Sequence, residues 1–311
     1  MKKLAALLTL LVLFLTGCGD AVSLEGEGDV AEGPAEQVAP EDMTIGLSLS
    51  TLNNPFFVSV QEGVEAAAEE SGSTVQTVDA QDDSAKQQND MSDLIQQNVD
   101  IILVNPVDSA AIETSIVSAN DAGIPVITID RSSDGGQVVS LVASNNVVGG
   151  EMAAEYIIEQ VGEGANVVQL EGTPGASATN ERGQGFENIA SESLNVIDSQ
   201  TANFNRAEGL TVMENLLQSH DDIQAVFSQN DEMALGAIEA ITAAGLSDEI
   251  VVVGFDGTED GLASIENGDL DASVAQQPQE MGRLAVETAY SYMAGETVEE
   301  NVASPLELIT Q

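Results

Sequence analysis

Residues 101–129 read IILVNPVDSAAIETSIVSANDAGIPVITI, and this stretch decides the fold class. Two short apolar runs, 101–104 and 124–129, flank a segment over 109–122 with the apolar spacing of an amphipathic helix. A strand, a helix and a second strand in this order predict two parallel strands joined by a crossover helix. Helices cover both faces of such a sheet, which explains why each run is almost wholly apolar.

The same alternation extends in both directions along the chain. Further strands are predicted over 43–47, 73–78 and 138–143 and, in a second series, over 167–170, 196–197, 225–227, 251–255 and 272–275. Helices are predicted over 55–70, 84–97, 178–191, 206–218, 232–244 and 257–265. The sequence therefore predicts the α/β class, with two doubly wound parallel-sheet lobes. Ligands of such sheets bind at the carboxyl ends of the strands.

The N-terminus has the pattern of an export signal. A short basic start precedes an apolar run over 4–15, which is too short to span a bilayer as a helix. The run ends in Leu15-Thr16-Gly17-Cys18, which resembles the lipobox of bacterial lipoproteins. We expect cleavage of a signal peptide over 1–17 and lipidation of Cys18; an ordinary signal with an accidental cysteine is the alternative. The chain is then exported to the cell envelope, in the periplasm or on the outer face of the cytoplasmic membrane.

The segment over 18–41 is rich in glycine, proline and acidic residues and has no apolar periodicity. Such a segment cannot bury enough surface to fold, which predicts an acidic flexible tether. Cys18 is the only cysteine, so no disulfide can form within one mature chain. We therefore expect contact with the membrane through the lipid anchor alone.

The charge balance is strongly acidic. The chain has 53 acidic and 7 basic residues, a formal net charge of −46. This balance argues against nucleic acid as a partner, because phosphate backbones are bound by clustered lysine and arginine. It also disfavours anionic ligands. A salty habitat is the physical reason we expect, since dense salt screens the mutual repulsion of surface carboxylates. An acidic disordered protein is excluded by the 43% of hydrophobic residues and their regular pattern.

Motifs of catalysis are missing from the strand ends. The chain has no Gly-x-x-x-x-Gly-Lys phosphate loop, no Gly-x-Gly-x-x-Gly after the first strand and no Gly-x-Ser-x-Gly. A single histidine, His220, and a single cysteine leave neither a catalytic triad nor a transition-metal site. We therefore expect a binding protein, with no enzymatic activity, no cofactor and no metal.

Aromatic residues are scarce and fall at informative positions. The mature chain has no Trp, and four of its six Phe residues lie just after a strand or in the loop before a helix: Phe56, Phe57, Phe204 and Phe255. Aromatic faces pack on the apolar C–H faces of a sugar ring, and planar polar side chains bind its hydroxyl groups. Phe186 and Phe227 lie inside apolar patterns and are predicted to be core residues.

Two of the few cations also lie where a ligand is expected. Arg131 directly follows a predicted strand, and Arg182 lies in a glycine-rich region over 173–185. An arginine kept in so acidic a chain favours a geometric task such as forked hydrogen bonding. Arg206 and Arg283 lie on predicted helices, where we expect a structural role.

Several segments resemble one family closely. They are STLNNPFF at 50–57, NPVDS at 105–109, IDR at 129–131, ERGQGF at 181–186, QNDEMALG at 229–236, GFDGT at 254–258 and AQ at 275–276. In this order and with almost no gaps, the chain from about residue 43 to its end resembles the ribose-binding proteins of the type I periplasmic sugar-binding family. Each segment alone is weak, but together they are highly specific.

The resemblance implies a set of ligand-binding residues. Phe57 and Phe204 would sandwich the sugar ring, Phe56 and Phe255 would shape the walls, and Ser50 would line the cleft behind them. The sugar hydroxyls would be held by Asn54, Asn105, Asp130, Arg131, Arg182, Asn230, Asp256 and Gln276. Arginine only donates, aspartate only accepts, and asparagine and glutamine do both, so each hydroxyl can be satisfied as donor and acceptor.

The resemblance also implies an architecture and partners. A lobe over 42–144 plus 277–305 and a lobe over 145–276 plus 306–311 would be joined by three crossings, near 144, 276 and 305, and close on the ligand. The partners would be ribose or a similar monosaccharide, the permease of an ABC transporter and, as a second receptor, a chemoreceptor. We expect a monomer.

Other readings stay open at this point. A sensor with the same fold, presenting a related sugar or a furanose signal to a receptor, would differ only in its partner surface. An enzyme acting on a pentose is a further class, and a sugar-responsive repressor would need a DNA-binding headpiece where this chain has a signal and lipobox. Allose, xylose, galactose and a furanose are the competing ligands.

Overall fold

A computed structural model describes residues 30–31, 34 and 37–311 of the chain. The predicted signal peptide over 1–17 and the lipidation site Cys18 lie outside the described residues. Among the described residues, no helix combines the length and the apolar character that crossing a membrane requires.

The described chain alternates strands and helices, after a turn of 3-10 helix at Pro40–Asp42. The strands are β1 Val30–Ala31, β2 Thr44–Leu49, β3 Thr74–Asp79, β4 Ile101–Val104, β5 Val126–Ile129, β6 Ser140–Ser144, β7 Asn166–Glu171, β8 Asn195–Thr201, β9 Ala225–Ser228, β10 Val251–Asp256, β11 Ala272–Ala275, β12 Val298–Glu299, β13 Asn301–Ser304 and β14 Glu307–Thr310. The helices are α1 Pro55–Ser71, α2 Ser84–Gln96, α3 Glu113–Asp121, α4 Asn146–Val161, α5 Ser177–Ser193, α6 Arg206–Ser219, α7 Asp231–Ala244, α8 Glu259–Asn267 and α9 Pro278–Met293.

Twelve of these strands form two six-stranded sheets of the same design, and β1 and β12 form a separate antiparallel pair. The first has the order β13-β6-β5-β4-β2-β3 and is parallel throughout. The second has the order β14-β11-β10-β9-β7-β8 and is parallel except for β14, which pairs antiparallel with β11. The predicted fold class of two doubly wound lobes is confirmed.

Helices pack on each sheet and make it the core of a lobe. Helices α1, α2, α3 and α9 contact the first sheet or each other, and α4 to α8 do so on the second. All four residues of each of the central strands β4, β5 and β9 are buried, because helices exclude water from both faces. We name the two bodies the first lobe and the second lobe.

The chain passes between the two sheets three times. It leaves β6 at Ser144 for α4, leaves β11 at Ala275 for α9, and leaves β13 at Ser304 for β14. The carboxyl ends of both sheets therefore face one another across these passages, which is the position where the sequence predicts a ligand.

One predicted helix begins later in the structure than in the sequence prediction. The helix predicted over 109–122 begins at Glu113, because the Asp108 carboxylate accepts hydrogen bonds from the N–H groups of Ala110 and Ala111 and holds a turn there. Part of the predicted tether also lies against the folded body. Strand β1 pairs with β12, and the Val38 N–H donates to the Met293 carbonyl (3.2 Å) at the end of α9.

Candidate functional site

A small cavity lies between the lobes at the carboxyl ends of the strands. We call it the interlobe cavity, and its lining residues are Asn54, Phe56, Phe57, Asp130, Arg131, Ala178, Arg182, Phe204 and Asp256. Eight of these nine are residues that the sequence predicts for the site. Both lobes contribute, so the lining is complete only when the lobes are close together.

The aromatic wall in the first lobe comes from the first turn of α1. Asn54 caps this helix by accepting a hydrogen bond from the Phe56 N–H (2.9 Å), and Pro55 starts it with a preset φ. Phe56 and Phe57 then pack edge to face, with ring centroids 5.2 Å apart. This arrangement fixes both rings at the cavity edge.

The opposite aromatic wall is Phe204, in the loop between β8 and α6. Its backbone is left-handed, with a φ of 56°, which is unusual for a bulky residue and is found where surrounding structure holds the chain. The ring lies against Gly172, where a Cβ atom would come within 2.0 Å of the Phe204 Cζ. Only glycine at 172 leaves room for the ring in this position.

Arg131 places its guanidinium between the two aromatic walls. Its Cζ lies 5.1 Å from the ring centroid of Phe57 and 5.3 Å from that of Phe204, within the range of cation–π attraction. Nη1 donates to the Pro106 carbonyl (3.0 Å), and Nε lies 3.6 Å from the Asp130 carboxylate. Burial lowers the pKa of Arg131, and the charge of Asp130 partly offsets that effect.

Arg182 is the corresponding cation of the second lobe. It lies on α5, with its Cζ 3.7 Å from the ring centroid of Phe255. Its Nε donates to the Asn146 side chain (2.9 Å), and its Nη1 donates to the Gln229 carbonyl (2.6 Å) and lies 3.3 Å from Asp256 Oδ1. Several acceptors and one ring thus hold a buried guanidinium in a single orientation.

The two aspartates of the cavity occupy equivalent places in the two sheets. Asp130 follows β5 with a φ of 64°, and Asp256 ends β10 with a φ of 109°, so each turns sharply out of its strand. Burial raises the pKa of both carboxyl groups, and that of Asp256 reaches about 7 although Arg182 lowers it. Asp130 Oδ1 accepts no hydrogen bond from any described residue.

Five predicted site residues lie directly behind the cavity wall: Ser50, Asn105, Asn230, Phe255 and Gln276. All five are buried. Asn105 donates to the Ile129 carbonyl (3.0 Å) beside Asp130, and Gln276 Nε2 donates to Asp256 Oδ1 (2.9 Å). Asn230 caps α7 and donates to the Phe204 carbonyl (3.3 Å). In this closed arrangement they support the lining residues.

Sequence reasoning missed one lining residue and two supporting ones. Ala178 lines the cavity from the first turn of α5, where its small side chain has no chemical signature. Asn146 and Gln229 hold Arg182 but are themselves away from the lining. Their position next to a predicted strand end was the one available signal.

The side chains in this cavity can hold a polar ligand through several kinds of contact. They present aromatic faces, amide and guanidinium donors and carboxyl acceptors, with no serine, cysteine or histidine in the lining. Within residues 30–31, 34 and 37–311, no cluster of three or more His, Cys, Asp or Glu side chains is placed to hold a metal ion.

Comparison with known proteins decides the family. Residues 45–297 match the model of the periplasmic binding protein domain, which is most of the chain. The chain belongs to the periplasmic binding protein family. The predicted resemblance to this family is confirmed.

This periplasmic binding protein has relatives that match along their whole length. The ribose import binding protein of Bacillus subtilis is 54% identical over 310 residues, covering 100% of this chain and 99% of the relative. That of Escherichia coli is 44% identical over 312 residues, with the same coverage. Among solved structures, the Caulobacter myo-inositol binding protein, bound to myo-inositol, has a TM-score of 0.83 at 33% identity and covers 86% of this chain and 93% of its own.

Proposed function

We propose that this periplasmic binding protein captures ribose outside the cytoplasmic membrane and delivers it to the permease of an ABC transporter. The observation that carries the proposal is the interlobe cavity, which places polar groups of opposite charge between two aromatic walls. Two relatives that match the whole chain are ribose import binding proteins, which supports both the ligand and the transport role. These relatives are import binding proteins, so we expect no enzymatic activity.

The charges of the lining favour a neutral ligand. Arg131 and Arg182 face Asp130 and Asp256, so two cations are matched by two acidic groups, all of them buried. An anionic or cationic ligand would leave one charge unpaired in a site from which water is excluded, and this is costly. A neutral polyol adds no charge and can use every donor and acceptor.

The walls of the cavity favour one sugar ring. Phe57 and Phe204 provide aromatic walls on opposite sides, while Asp130 Oδ1, Arg131 Nε and Gln276 Oε1 make no hydrogen bond to any described residue. These are the groups that sugar hydroxyls would satisfy.

Closure of the two lobes is the proposed capture step. Two hydrogen bonds already join the lobes directly: Ser109 N–H donates to the Gly175 carbonyl (3.0 Å) and Ser132 N–H to the Ser177 hydroxyl (2.9 Å). The three passages near 144, 276 and 305 are the proposed hinge between lobes over 42–144 plus 277–305 and over 145–276 plus 306–311. The closed form would present the rims of both lobes to the permease.

The remaining parts of the proposal concern location and further partners. We infer a monomer, lipid-anchored through Cys18, with a chemoreceptor as a second receptor. A Cys18→Ser variant that is exported but still sediments with membranes would contradict the anchor. Size-exclusion chromatography with light scattering would test the monomer.

Calorimetric titration with a panel of monosaccharides tests the ligand. In several-molar salt we expect clear heat with ribose and at least tenfold weaker binding of glucose and galactose, because an extra or inverted hydroxyl leaves buried groups unpaired. Allose, xylose and a furanose complete the panel. Heat with a hexose and none with ribose would overturn the assignment.

A further inference from the structure

Asn146 lies outside the interlobe cavity but touches its machinery. It is the first residue of α4, directly after the first passage from β6 into the second lobe, and its side chain is only 2% exposed. Its Oδ1 accepts a hydrogen bond from Arg182 Nε (2.9 Å), and its Nδ2 donates to Glu181 Oε2 (3.1 Å). The neighbouring Asn145 caps the helix, so the backbone at Asn146 is held in place.

The two neighbours allow only one orientation of this amide. An amide oxygen accepts and an amide nitrogen donates, so a reversed Asn146 would turn a donor toward the Arg182 N–H and an acceptor toward the Glu181 carboxylate. Both reversed contacts are repulsive. Glu181 therefore orients Asn146, and Asn146 in turn presents its oxygen to Arg182.

Asn146 completes the support of the Arg182 guanidinium. Phe255 covers one face, and Nη1 is held by the Gln229 carbonyl and the Asp256 carboxylate. Asn146 holds the Nε edge, which fixes the rotation of the group in its own plane. Among the described residues, the Nη2 donors have no such acceptor and are the ones left for a ligand.

We propose that Asn146 is a positioning residue for sugar binding: it links the first hinge passage to the guanidinium of Arg182. This inference rests on the proposed function in one respect, that Arg182 contacts the sugar. The first passage, from β6 into α4, would then have a second task besides connecting the lobes. A change in the backbone at 144–146 during closure would be transmitted to a group that binds the ligand.

The first test needs no sugar. The chain has four arginines, so the side-chain Nε–H region of a ¹H–¹⁵N spectrum holds at most four signals, and the Arg182 signal is the one absent from an Arg182→Lys variant. We expect exchange of this proton with water to be at least tenfold faster in Asn146→Ala than in the wild type. Unchanged exchange would overturn the positioning role.

The second test exchanges the two polar groups. Asn146→Asp places a carboxylate beside Glu181, and two such groups in contact repel, so affinity should fall by tenfold or more. In the double variant Asn146→Asp with Glu181→Gln, the new amide donates to the new carboxylate, which still accepts from Arg182. We expect this variant, with the total charge of the wild type, to bind within about threefold of it. A double variant as weak as the single one would contradict the proposal.

A matched control lies on the same pair of helices. Asn188 on α5 donates to Glu151 on α4 (3.0 Å) at an exposed position away from the cavity. Asn188→Asp should leave both the Arg182 signal and the sugar affinity unchanged, and an equal loss there would contradict the role of Asn146. The affinity is measured with whichever panel sugar the wild type binds. If it binds none, the proposed function fails, while the exchange measurement still decides the role of Asn146.

Discussion

At the scale of single residues, Arg131 and Arg283 carry the same group in opposite surroundings. Arg131 is 4% exposed between Phe57 and Phe204, whereas Arg283 lies on the surface of α9 and pairs with Glu280. Arg131→Lys keeps the charge but loses the planar fork, so we expect a loss of about 1.5–3 kcal/mol in binding free energy, at least tenfold in affinity. Arg283→Lys should leave the titration curve unchanged. Equal effects would mean that the site is misplaced.

Asp231 is a buried carboxyl group outside the lining of the interlobe cavity. It lies in the first turn of α7, where Oδ1 accepts from the Ser273 hydroxyl (2.7 Å) and Oδ2 from the Thr258 N–H (2.8 Å). Burial raises its pKa to about 6, and these hydrogen bonds only partly offset the effect of burial. Between about pH 4, where this group ionises in the unfolded chain, and pH 6, the carboxyl group is protonated in the native state but ionised in the unfolded state. The free energy of unfolding therefore falls as the pH rises through this window.

Replacing Asp231 by asparagine should remove this pH-dependent cost. The amide can still accept from Thr258 and donate to Ser273, whose hydroxyl can reverse its role. At pH 7.5 the charged carboxylate costs on the order of 3 kcal/mol relative to the unfolded chain, so Asp231→Asn should melt several degrees higher than the wild type. At pH 4 the two proteins should melt at the same temperature. Thermal melts in high salt at both pH values check this, and an equal difference in melting temperature at the two pH values would contradict it.

At the scale of elements, the packing of α1 against α9 depends on two glycines. A Cβ atom at Gly63 would lie 2.1 Å from the Gln279 carbonyl oxygen, and one at Gly282 would lie 2.4 Å from that of Val60. Gly63→Ala must push the helices apart, at a cost of about 1–3 kcal/mol in the free energy of unfolding. Glu69→Ala, on the exposed face of α1, should change it little. Urea unfolding measures the stability of both variants, and equal midpoints would contradict the close crossing of α1 and α9.

Two glycines explain why helix α4 was not predicted from the sequence. Helix α4 was missed although it follows β6 directly, and it contains Gly149 and Gly150, which lower helix propensity. The fold requires both: a Cβ at Gly149 would lie 2.5 Å from the Phe255 ring, and one at Gly150 would lie 2.2 Å from the Arg182 carbonyl oxygen. Local propensity and tertiary packing conflict here. The buried strands over 101–104 and 272–275, whose apolar runs carry no such conflict, were predicted to the residue.

Other missed elements are determined by the tertiary structure. Helix α9 and the short strands β13 and β14 form where the chain returns to the two lobes. The strands are half exposed, so their apolar pattern is weak. The site was more accessible to prediction. Polar residues at the ends of buried strands, such as Asp130 and Asp256, stand out by position. Asn146 lies near a predicted strand end too, but its role follows from its contact with Arg182.

At the scale of the whole molecule, the net charge of −46 opposes the compact state. Unfolding spreads the charges apart, and at 0.01 M ionic strength the screening length is about 30 Å, so repulsion acts across the entire body. Near 1 M it falls to about 3 Å. We expect the melting temperature to rise steeply with salt, and the bound sugar to raise it further by mass action. A melting temperature that stays constant across a salt series would contradict salt adaptation as the reason for the acidic surface.

A crystal structure grown with ribose in high salt would show whether the interlobe cavity holds this sugar. We expect one pentose ring between Phe57 and Phe204, with its hydroxyl groups bonded to Asp130, Arg131, Arg182 and Asp256. Ribose bound elsewhere on the protein, or a cavity that holds no sugar at saturating ribose, would overturn the assignment of the site.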